Sequence, residues 1–213
     1  MRVEARDIVF GYARGRPVLD GVSLTIEPGE RVALVGPSGC GKSTLSRILA
    51  GHLTPQSGAV LAAGQPLPRR GFCPVQLIGQ HPEKAVDPRW KLGKTLAEAW
   101  APDDVFLSAM GLEKAWLDRY PAELSGGELQ RFCIARALAP GTRVVIADEM
   151  STMLDVIAQA QIWETLLRAA GERGLGVLAV THSAALAARI SSRVIAFEDL
   201  SRGAGVRLDV HIS

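Results

Sequence analysis

The sequence has little cysteine, no excess of charge of one sign and no long apolar run. Its three cysteines are far apart and odd in number, without the spacing of a disulfide framework or a zinc site: Cys40, Cys73 and Cys133. We interpret them as reduced thiols with structural roles. The 24 basic and 22 acidic residues leave a net charge of +2, and the basic residues are scattered. Nucleic acid is therefore not expected as a partner.

The apolar stretches are too short for a membrane span. The longest weakly polar stretch, Gly174 to Ala188, contains Thr181, His182 and Ser183, and a spanning helix needs about 20 apolar residues. The N-terminal residues 1–7 carry too many charges for a secretory signal peptide. We therefore expect that this chain does not cross a membrane by itself.

Three continuous apolar runs indicate central parallel strands that are covered on both faces: residues 32–35, 144–147 and 177–180. Each run is followed by a helical pattern, at residues 42–50, about 156–170 and 183–190. Strands that alternate with helices predict an α/β fold with a mostly parallel sheet. The length of 213 residues fits one domain, with or without a small inserted lobe.

The N-terminal part has a different pattern. Residues 3–12 and 22–26 read as antiparallel strands joined by a turn-rich segment at residues 13–17. We therefore expect an N-terminal antiparallel β lobe before the parallel sheet.

The stretch from about residue 81 to residue 120 has no strong strand pattern. It contains three of the four tryptophans, Trp90, Trp100 and Trp116, and Leu92, Leu96 and Trp100 recur at helical spacing. We expect a mostly helical insertion in which the tryptophans pack. The predicted organisation is a core of residues 1–80 and 132–213 with a helical lobe at about 81–131.

Residues 36–44 indicate nucleotide binding. They read Gly36-Pro37-Ser38-Gly39-Cys40-Gly41-Lys42-Ser43-Thr44, which fits G-x-x-x-x-G-K-[ST] between an apolar strand and a helix. Glycines let backbone N–H groups wrap a triphosphate, and the helix N-terminus faces the anion. Lys42 is expected to reach the β and γ phosphates of ATP, and the Ser43 hydroxyl to bind Mg²⁺. The motif alone does not separate kinases, GTPases and transport motors.

The three apolar strands end beside residues that suit phosphate chemistry. They end at Gly36, at Asp148-Glu149 and just before His182. Open α/β sheets bind ligands at the carboxyl ends of their strands. The fold and the chemistry of these residues therefore predict a ligand site at the same edge of the sheet.

A second motif separates the classes of P-loop protein. The segment Leu124-Ser125-Gly126-Gly127-Glu128 resembles the LSGGQ signature of the ATP-binding cassette (ABC) family, with Glu128 where Gln is commonest. The resemblance extends from Tyr12 to about Phe197 and implies a single ATP-hydrolysing P-loop NTPase domain. It also implies that Ser125, Gly126, Gly127 and Glu128 serve the ATP bound by the opposite subunit, with donors at a helix N-terminus.

The remaining family motifs occur in the family's order. Residues 143–149 resemble Walker B with a catalytic carboxylate, which implies that Asp148 holds Mg²⁺ and that Glu149 orients or deprotonates the attacking water. His182, after Thr181, resembles the switch histidine that bonds the γ phosphate. The resemblance therefore makes Glu149, His182 and Lys42 the catalytic candidates.

Three further positions are carried over from the family. Gln80 resembles the Q-loop glutamine, which binds Mg²⁺ and couples the site to the helical lobe. Tyr12 stands where the family places an aromatic that stacks on adenine, and Phe10 is the alternative. Asp155 occupies the D-loop position, in Thr152-Met153-Leu154-Asp155 where Ser-Ala-Leu-Asp is usual.

The resemblance also implies an assembly. A single cassette cannot complete a site if its signature serves a partner's ATP, so a head-to-tail dimer with two sandwiched ATP molecules is expected. Two separate transmembrane permease subunits would carry the substrate and dock between Gln80 and the helical lobe. An extracytoplasmic substrate-binding protein would complete the system. The chain itself would lie at the cytoplasmic face of the membrane as a peripheral subunit.

The subgroup is indicated by the region around Gln80. Gln80-His81-Pro82 and Asp87-Pro88-Arg89 resemble the peptide and nickel importer group, and residues 148–163 favour the nickel side. Two different cassettes usually pair in that group, so a heterodimer is expected, with a homodimer as the alternative. Met150, Gly79 and Ser183 depart from the common pattern, but none of them removes a catalytic group.

Two other functions stay open on the sequence alone. An exporter or lipoprotein-type cassette would share every catalytic residue. A soluble ABC protein acting on ribosomes or DNA is opposed by the single cassette and the nearly neutral charge. The transported substrate is not determined, because it would not touch this subunit.

Overall fold

The computed structural model describes residues 1–12, 15 and 17–200. Its strands, in chain order, are β1 (Val3–Phe10), β2 (Leu19–Ile26), β3 (Arg31–Val35), β4 (Ser57–Ala62), β5 (Gln65–Pro66), β6 (Val75–Ile78), β7 (Val144–Asp148), β8 (Gly176–Thr181) and β9 (Arg193–Ala196). Its α-helices are α1 (Lys42–Leu49), α2 (Leu92–Ala97), α3 (Asp104–Ala109), α4 (Gly126–Ala137), α5 (Val156–Glu172), α6 (Ala184–Ile190) and α7 (Phe197–Leu200). Short 3₁₀ turns lie at Pro82–Lys84, Lys114–Asp118 and Pro121–Glu123.

A five-stranded parallel sheet, in the order β6-β7-β8-β3-β9, forms the centre of the molecule. The three apolar runs of the sequence are its three central strands, which confirms the predicted α/β fold. Alternate residues of β7 face opposite sides: Val145 and Ala147 pack with α4 and α5, whereas Val144 and Ile146 pack with α1 and the antiparallel sheet. Both faces are covered, so the strand is apolar throughout.

The antiparallel β lobe predicted at the N-terminus is present and is larger than expected. It has four strands in the order β2-β1-β4-β5, with Val3 opposite Ile26 on one side and Ala62 on the other. Tyr12 was expected in the first strand but lies beyond its end at Phe10. The turn predicted at residues 13–17 includes Ala13, Arg14 and Arg16, which lie outside the described residues.

The stretch from about residue 81 to residue 120, which was expected to be mostly helical, contains only helices, 3₁₀ turns and loops, and no strand occurs among residues 79–143. Trp116 is buried, and Trp100 packs edge-on against Phe106 with ring centroids 4.7 Å apart while its indole N–H donates to Ala135 O at 3.1 Å. The lobe limits of about 81–131 stay a prediction, and the C-terminal part of the predicted core beyond residue 200 lies outside the described residues. None of the helices in the described part of the chain combines the length and apolarity that crossing a bilayer requires.

Candidate nucleotide-binding site

The carboxyl ends of β3, β7 and β8 meet at one edge of the sheet. Val35 lies opposite Thr181 and Asp148 opposite Val180, so the residues that follow these strands are neighbours. A cleft of about 680 Å³ opens there. This placement is the one that the strand ends predicted.

The phosphate loop enters α1 through Gly41. Gly41 has a φ of 119°, and a Cβ at this position would lie 2.9 Å from the Phe197 ring, so only glycine fits. The ammonium of Lys42 donates to the carbonyl oxygens of Gly36 and Pro37, both at 2.8 Å, and Lys42 is only 5% exposed. The loop therefore holds a buried cation beside the first N–H groups of α1, which favours an anion.

Ser43 and Asp148 form an oxygen-rich pair. Ser43 Oγ donates to Asp148 Oδ1 at 3.2 Å across the cleft. Burial raises the pKa of the Asp148 carboxyl, and the neighbouring charge of Glu149 adds to this effect, while the hydrogen bond from Ser43 opposes it. Hydroxyl and carboxylate oxygens are the ligands that Mg²⁺ prefers, so this donor set fits that ion.

Glu149 has an unusual backbone for a glutamate. Its φ is 51°, in the left-handed region that L-residues with a Cβ disfavour. Its N–H donates to Val180 O at 3.0 Å, and its carbonyl accepts from the Thr152 N–H at 3.2 Å and the Thr152 hydroxyl at 3.0 Å. These bonds fix the turn so that the carboxylate lies in the cleft, with Oε1 3.6 Å from His182 Nδ1.

Tyr12 and Gln80 line the cleft at two further points. The Tyr12 ring is 61% exposed, contacts Phe10 edge-on with centroids 5.0 Å apart, and places its hydroxyl 3.2 Å from Thr44 Oγ1. An exposed aromatic ring at the mouth of a cleft can stack on a base. Phe10 is buried in the β lobe, so of the two aromatic candidates Tyr12 has the free ring.

The cleft brings together most of the residues predicted from the sequence: Tyr12, Ser38, Gly39, Gly41, Lys42, Ser43, Thr44, Gln80, Asp148 and Glu149. Gly36 and Pro37 reach it through their bonds to Lys42, and Cys40 places its sulfur 3.8 Å from the Lys42 ammonium. His182 is not one of the lining residues, but its Nδ1 lies 3.6 Å from Oε1 of Glu149, which lines the cleft.

The predicted signature and D-loop residues lie apart from this cleft. Among the described residues that line it, none is from 125–128 and none is Asp155. Ser125 caps α4, since its hydroxyl accepts from the Glu128 N–H at 3.4 Å while its own N–H donates to Glu128 Oε2 at 2.7 Å. Hydrogen bonding of the Ser125 hydroxyl, and then of the Ser125 N–H, to the Glu128 carboxylate holds the pKa of that carboxyl below its usual range. Asp155 caps α5 by accepting from the N–H groups of Ile157 and Ala158 at 2.9 and 3.0 Å.

Several basic residues of the cleft were not predicted: Arg47, His52, His81 and Lys84. Arg47 lies four residues after Ser43 on α1, so helical spacing could have identified it. His52 and His81 come from loops and Lys84 from the 3₁₀ turn at Pro82–Lys84, and their approach to the phosphate loop depends on tertiary packing.

A phosphate loop after β3 at the carboxyl edge of a parallel sheet, with an acidic pair at the end of β7 on the same edge, defines a P-loop nucleotide-binding ATPase. Residues 19–152 match the family model described as ABC transporter, and this chain therefore belongs to the ABC transporter family. The resemblance seen in the sequence is confirmed. The chain is an ATP-binding, ATP-hydrolysing subunit of this family, with hydrolysis coupled to transport.

Relatives and solved structures agree with this assignment. The chain is 36% identical to the nickel import ATP-binding protein NikE of Rhodospirillum rubrum, covering 90% of this chain and 76% of that protein. It is 41% identical to the glutathione import ATP-binding protein GsiA of Pectobacterium atrosepticum, covering 81% of this chain and 31% of that protein. The dimeric ATP-binding cassette MJ0796 in a post-hydrolysis state bound to ADP and Pi is similar, with 26% identity, a TM-score of 0.76, and coverage of 91% and 93% of the two chains.

Proposed function

We propose that this chain powers the import of nickel, other metal chelates or peptides through separate permease subunits, as one of two cassettes in the complex. The observation that carries the proposal is that the hydrogen-bonded pair Ser43–Asp148 lines one cleft with Lys42 and Glu149. His182 lies 3.6 Å from the Glu149 carboxylate. The import assignment is supported by relatives that are named for nickel and glutathione import. The residues around Gln80 that resemble the peptide and nickel importer group agree with it.

In this proposal the phosphate loop, residues 36–44, binds the triphosphate and Lys42 carries the main positive charge toward it. Its ammonium exchanges the carbonyls of Gly36 and Pro37 for phosphate oxygens. Ser43, Asp148 and Gln80 are the residues that would hold Mg²⁺, which supplies positive charge at the β and γ phosphates when bound. Tyr12 stacks on the adenine.

Glu149 is the proposed general base. Its carboxylate accepts the proton of the attacking water, or orients that water, and the rigid turn around it fixes the direction of the carboxylate. His182, at 3.6 Å from this carboxylate, is placed to hold the γ phosphate beside the same water. The two side chains come from adjacent strands, β7 and β8, so their distance is set by the sheet.

The separation of the signature from the cleft supports a dimer. The N-terminus of α4, with Ser125, Gly126, Gly127 and Glu128, offers hydrogen-bond donors that the ATP of the same chain does not use. We propose that they contact the ATP of a second cassette in a head-to-tail pair, with Asp155 at the interface. A different cassette is the expected partner, and the similar MJ0796 cassette has been solved as a dimer.

The proposed complex also contains two transmembrane permeases and an extracytoplasmic binding protein. The chain would be a peripheral subunit on the cytoplasmic face of the membrane, with the permeases docked between Gln80 and the helical lobe. ATP binding would close the two cassettes and hydrolysis would reopen them.

Purification of the tagged full chain from native membranes in mild detergent tests this proposal. We expect a complex with a second cassette and two permeases, and uptake of labelled nickel or labelled peptide that is lost in cells carrying only Lys42→Met. Full ATP hydrolysis by the chain in a native complex without any permease would contradict the transport role. If cells carrying only Lys42→Met take up both labels as the wild type does, the proposed substrates are contradicted, whereas the assignment as a transport ATPase is not.

A further inference from the structure

Three side chains of α4 bind the backbone of the stretch that contains Gln80, which we call the 79–85 segment. The hydrogen bonds join Gln130 Nε2 to Gly79 O at 3.2 Å, Cys133 Sγ to Pro82 O at 3.9 Å and Arg136 Nη1 to Ala85 O at 2.7 Å. In every pair the partners are 51 positions apart, so α4 and the segment run side by side in constant register. Residues three apart share a face of α4, and the three carbonyls that they bind are also three residues apart, so the bonds form one row.

The 79–85 segment separates α4 from the nucleotide cleft. Gln80 lines the cleft, whereas Gly79 and Ala85 line both the cleft and a second cavity of about 40 Å³ whose far side includes Arg136. The segment thus lies between the cleft on one side and α4 on the other. A displacement of α4 would reach the cleft through this segment.

Gln130 differs from the other two donors of the row because burial of its amide is unfavourable for folding. The residue is 1% exposed, and its Oε1 has no hydrogen-bond partner among the described residues. A buried amide with an unmatched acceptor is less favourable than an apolar side chain of similar volume. Packing alone therefore does not explain a glutamine here, whereas the donor bond to Gly79 O does.

The other two bonds support the same geometry. Burial raises the pKa of the Cys133 thiol to about 12, so the thiol keeps the proton that it donates to Pro82 O. Arg136 makes the shortest bond of the row with a charged donor.

We propose that Gln130 is a positioning residue that fixes the backbone immediately before Gln80, so that the start of α4 and Gln80 move as one body. This inference rests on the proposed roles of Gln80 and of Ser125 at the start of α4. Contact between Ser125 and the ATP of a partner cassette then shifts Gln80 in the chain's own cleft. The row of bonds links the two ATP sites of the dimer through one helix.

Hydrogen exchange on the full chain tests whether Gln130 holds the 79–85 segment in place, and it does not require ATP turnover. Gln130→Met keeps the volume and removes the donor, and we expect residues 80–85 to exchange about five-fold faster, the effect of losing one neutral hydrogen bond. Gln76→Met is the matched control, because the Gln76 amide also donates to a backbone carbonyl, Cys73 O at 2.7 Å, and should leave residues 80–85 unchanged. Unchanged exchange in Gln130→Met, or an equal effect of Gln76→Met, overturns the proposal.

A double-mutant cycle tests whether Gln130 acts through Gln80. Gln130→Met should lower kcat for ATP about five-fold and change KM less than about two-fold, with no further loss when it is added to Gln80→Ala. Independent, multiplying losses would indicate a merely structural effect and overturn the inference. Wild-type turnover in Gln80→Ala would instead refute the proposed role of Gln80. The exchange measurement would still show whether Gln130 holds the 79–85 segment in place.

Discussion

The backbone of Glu149 leads to a prediction about stability that can be separated from the loss of the carboxylate. At a φ of 51° a side chain with a Cβ costs about 1 kcal/mol relative to glycine. Glu149→Gly and Glu149→Ala remove the same carboxylate and the same contact with His182, so their difference reports the backbone alone. We expect the glycine variant to be more stable than the alanine variant by about 1 kcal/mol, or about 3 °C in Tm for a domain of this size.

Thermal unfolding of the full chain, followed by circular dichroism, measures this difference. Both variants should lose ATP turnover by roughly a hundred-fold or more, since each lacks the proposed general base. Greater stability of the glycine variant than of the alanine variant would show that the turn at Glu149 is strained, as backbone at functional sites often is.

Glu164 provides the matched control for this pair. It is exposed in the middle of α5, where glycine should be less stable than alanine by about 1 kcal/mol. The order of the two variants should therefore invert between position 149 and position 164. An alanine variant at 149 that is as stable as the glycine variant would refute the account of backbone strain.

The remaining predictions concern binding, pH dependence and packing. Lys42→Met should weaken ATP binding by about ten-fold or more in a fluorescent-nucleotide titration, because the buried ammonium is lost. Glu128→Gln should destabilise the chain by roughly 0.5 kcal/mol at pH 7. Because the pKa of Glu128 is held below its usual range, this difference in stability should disappear as the pH falls through about 4.5 and below and the carboxylate becomes protonated. A difference that persists at pH 3 would contradict a stabilising bond between the Glu128 carboxylate and Ser125. Ser151→Ala should cost about 1–3 kcal/mol in urea unfolding, because its buried hydroxyl accepts from the Trp163 indole at 3.0 Å, and an unchanged midpoint would refute this.

The central strands could be predicted from the sequence because burial on both faces leaves a continuous apolar run. The edge strands β6 and β9 could not, since each is four residues long and mixes buried and half-buried positions, with Arg193 opening β9. Strand β4 begins with Ser57 and Gly58, which are typical of a turn, and forms only because β1 offers it an edge.

The phosphate loop was predictable because its chemistry is local. Gly36 to Thr44 carry the turn, the cation and the helix start in one short segment. The contact between Glu149 and His182 could not be predicted in the same way. Their side chains meet only because β7 and β8 lie side by side in the sheet. The bond from Gln130 to Gly79 had no signal in the sequence, since it depends on the packing of α4 against a loop.

If the cleft hydrolyses ATP with Glu149 as the base, turnover requires this carboxylate and ATP binding does not. The most direct measurement compares phosphate release and ATP affinity for the full chain and for Glu149→Gln, with Mg²⁺ present. We expect Glu149→Gln to bind ATP as the wild type does, to release phosphate at least about a hundred-fold more slowly, and to accumulate a closed dimer of cassettes with ATP. Phosphate release at the wild-type rate in Glu149→Gln would contradict this role of the carboxylate.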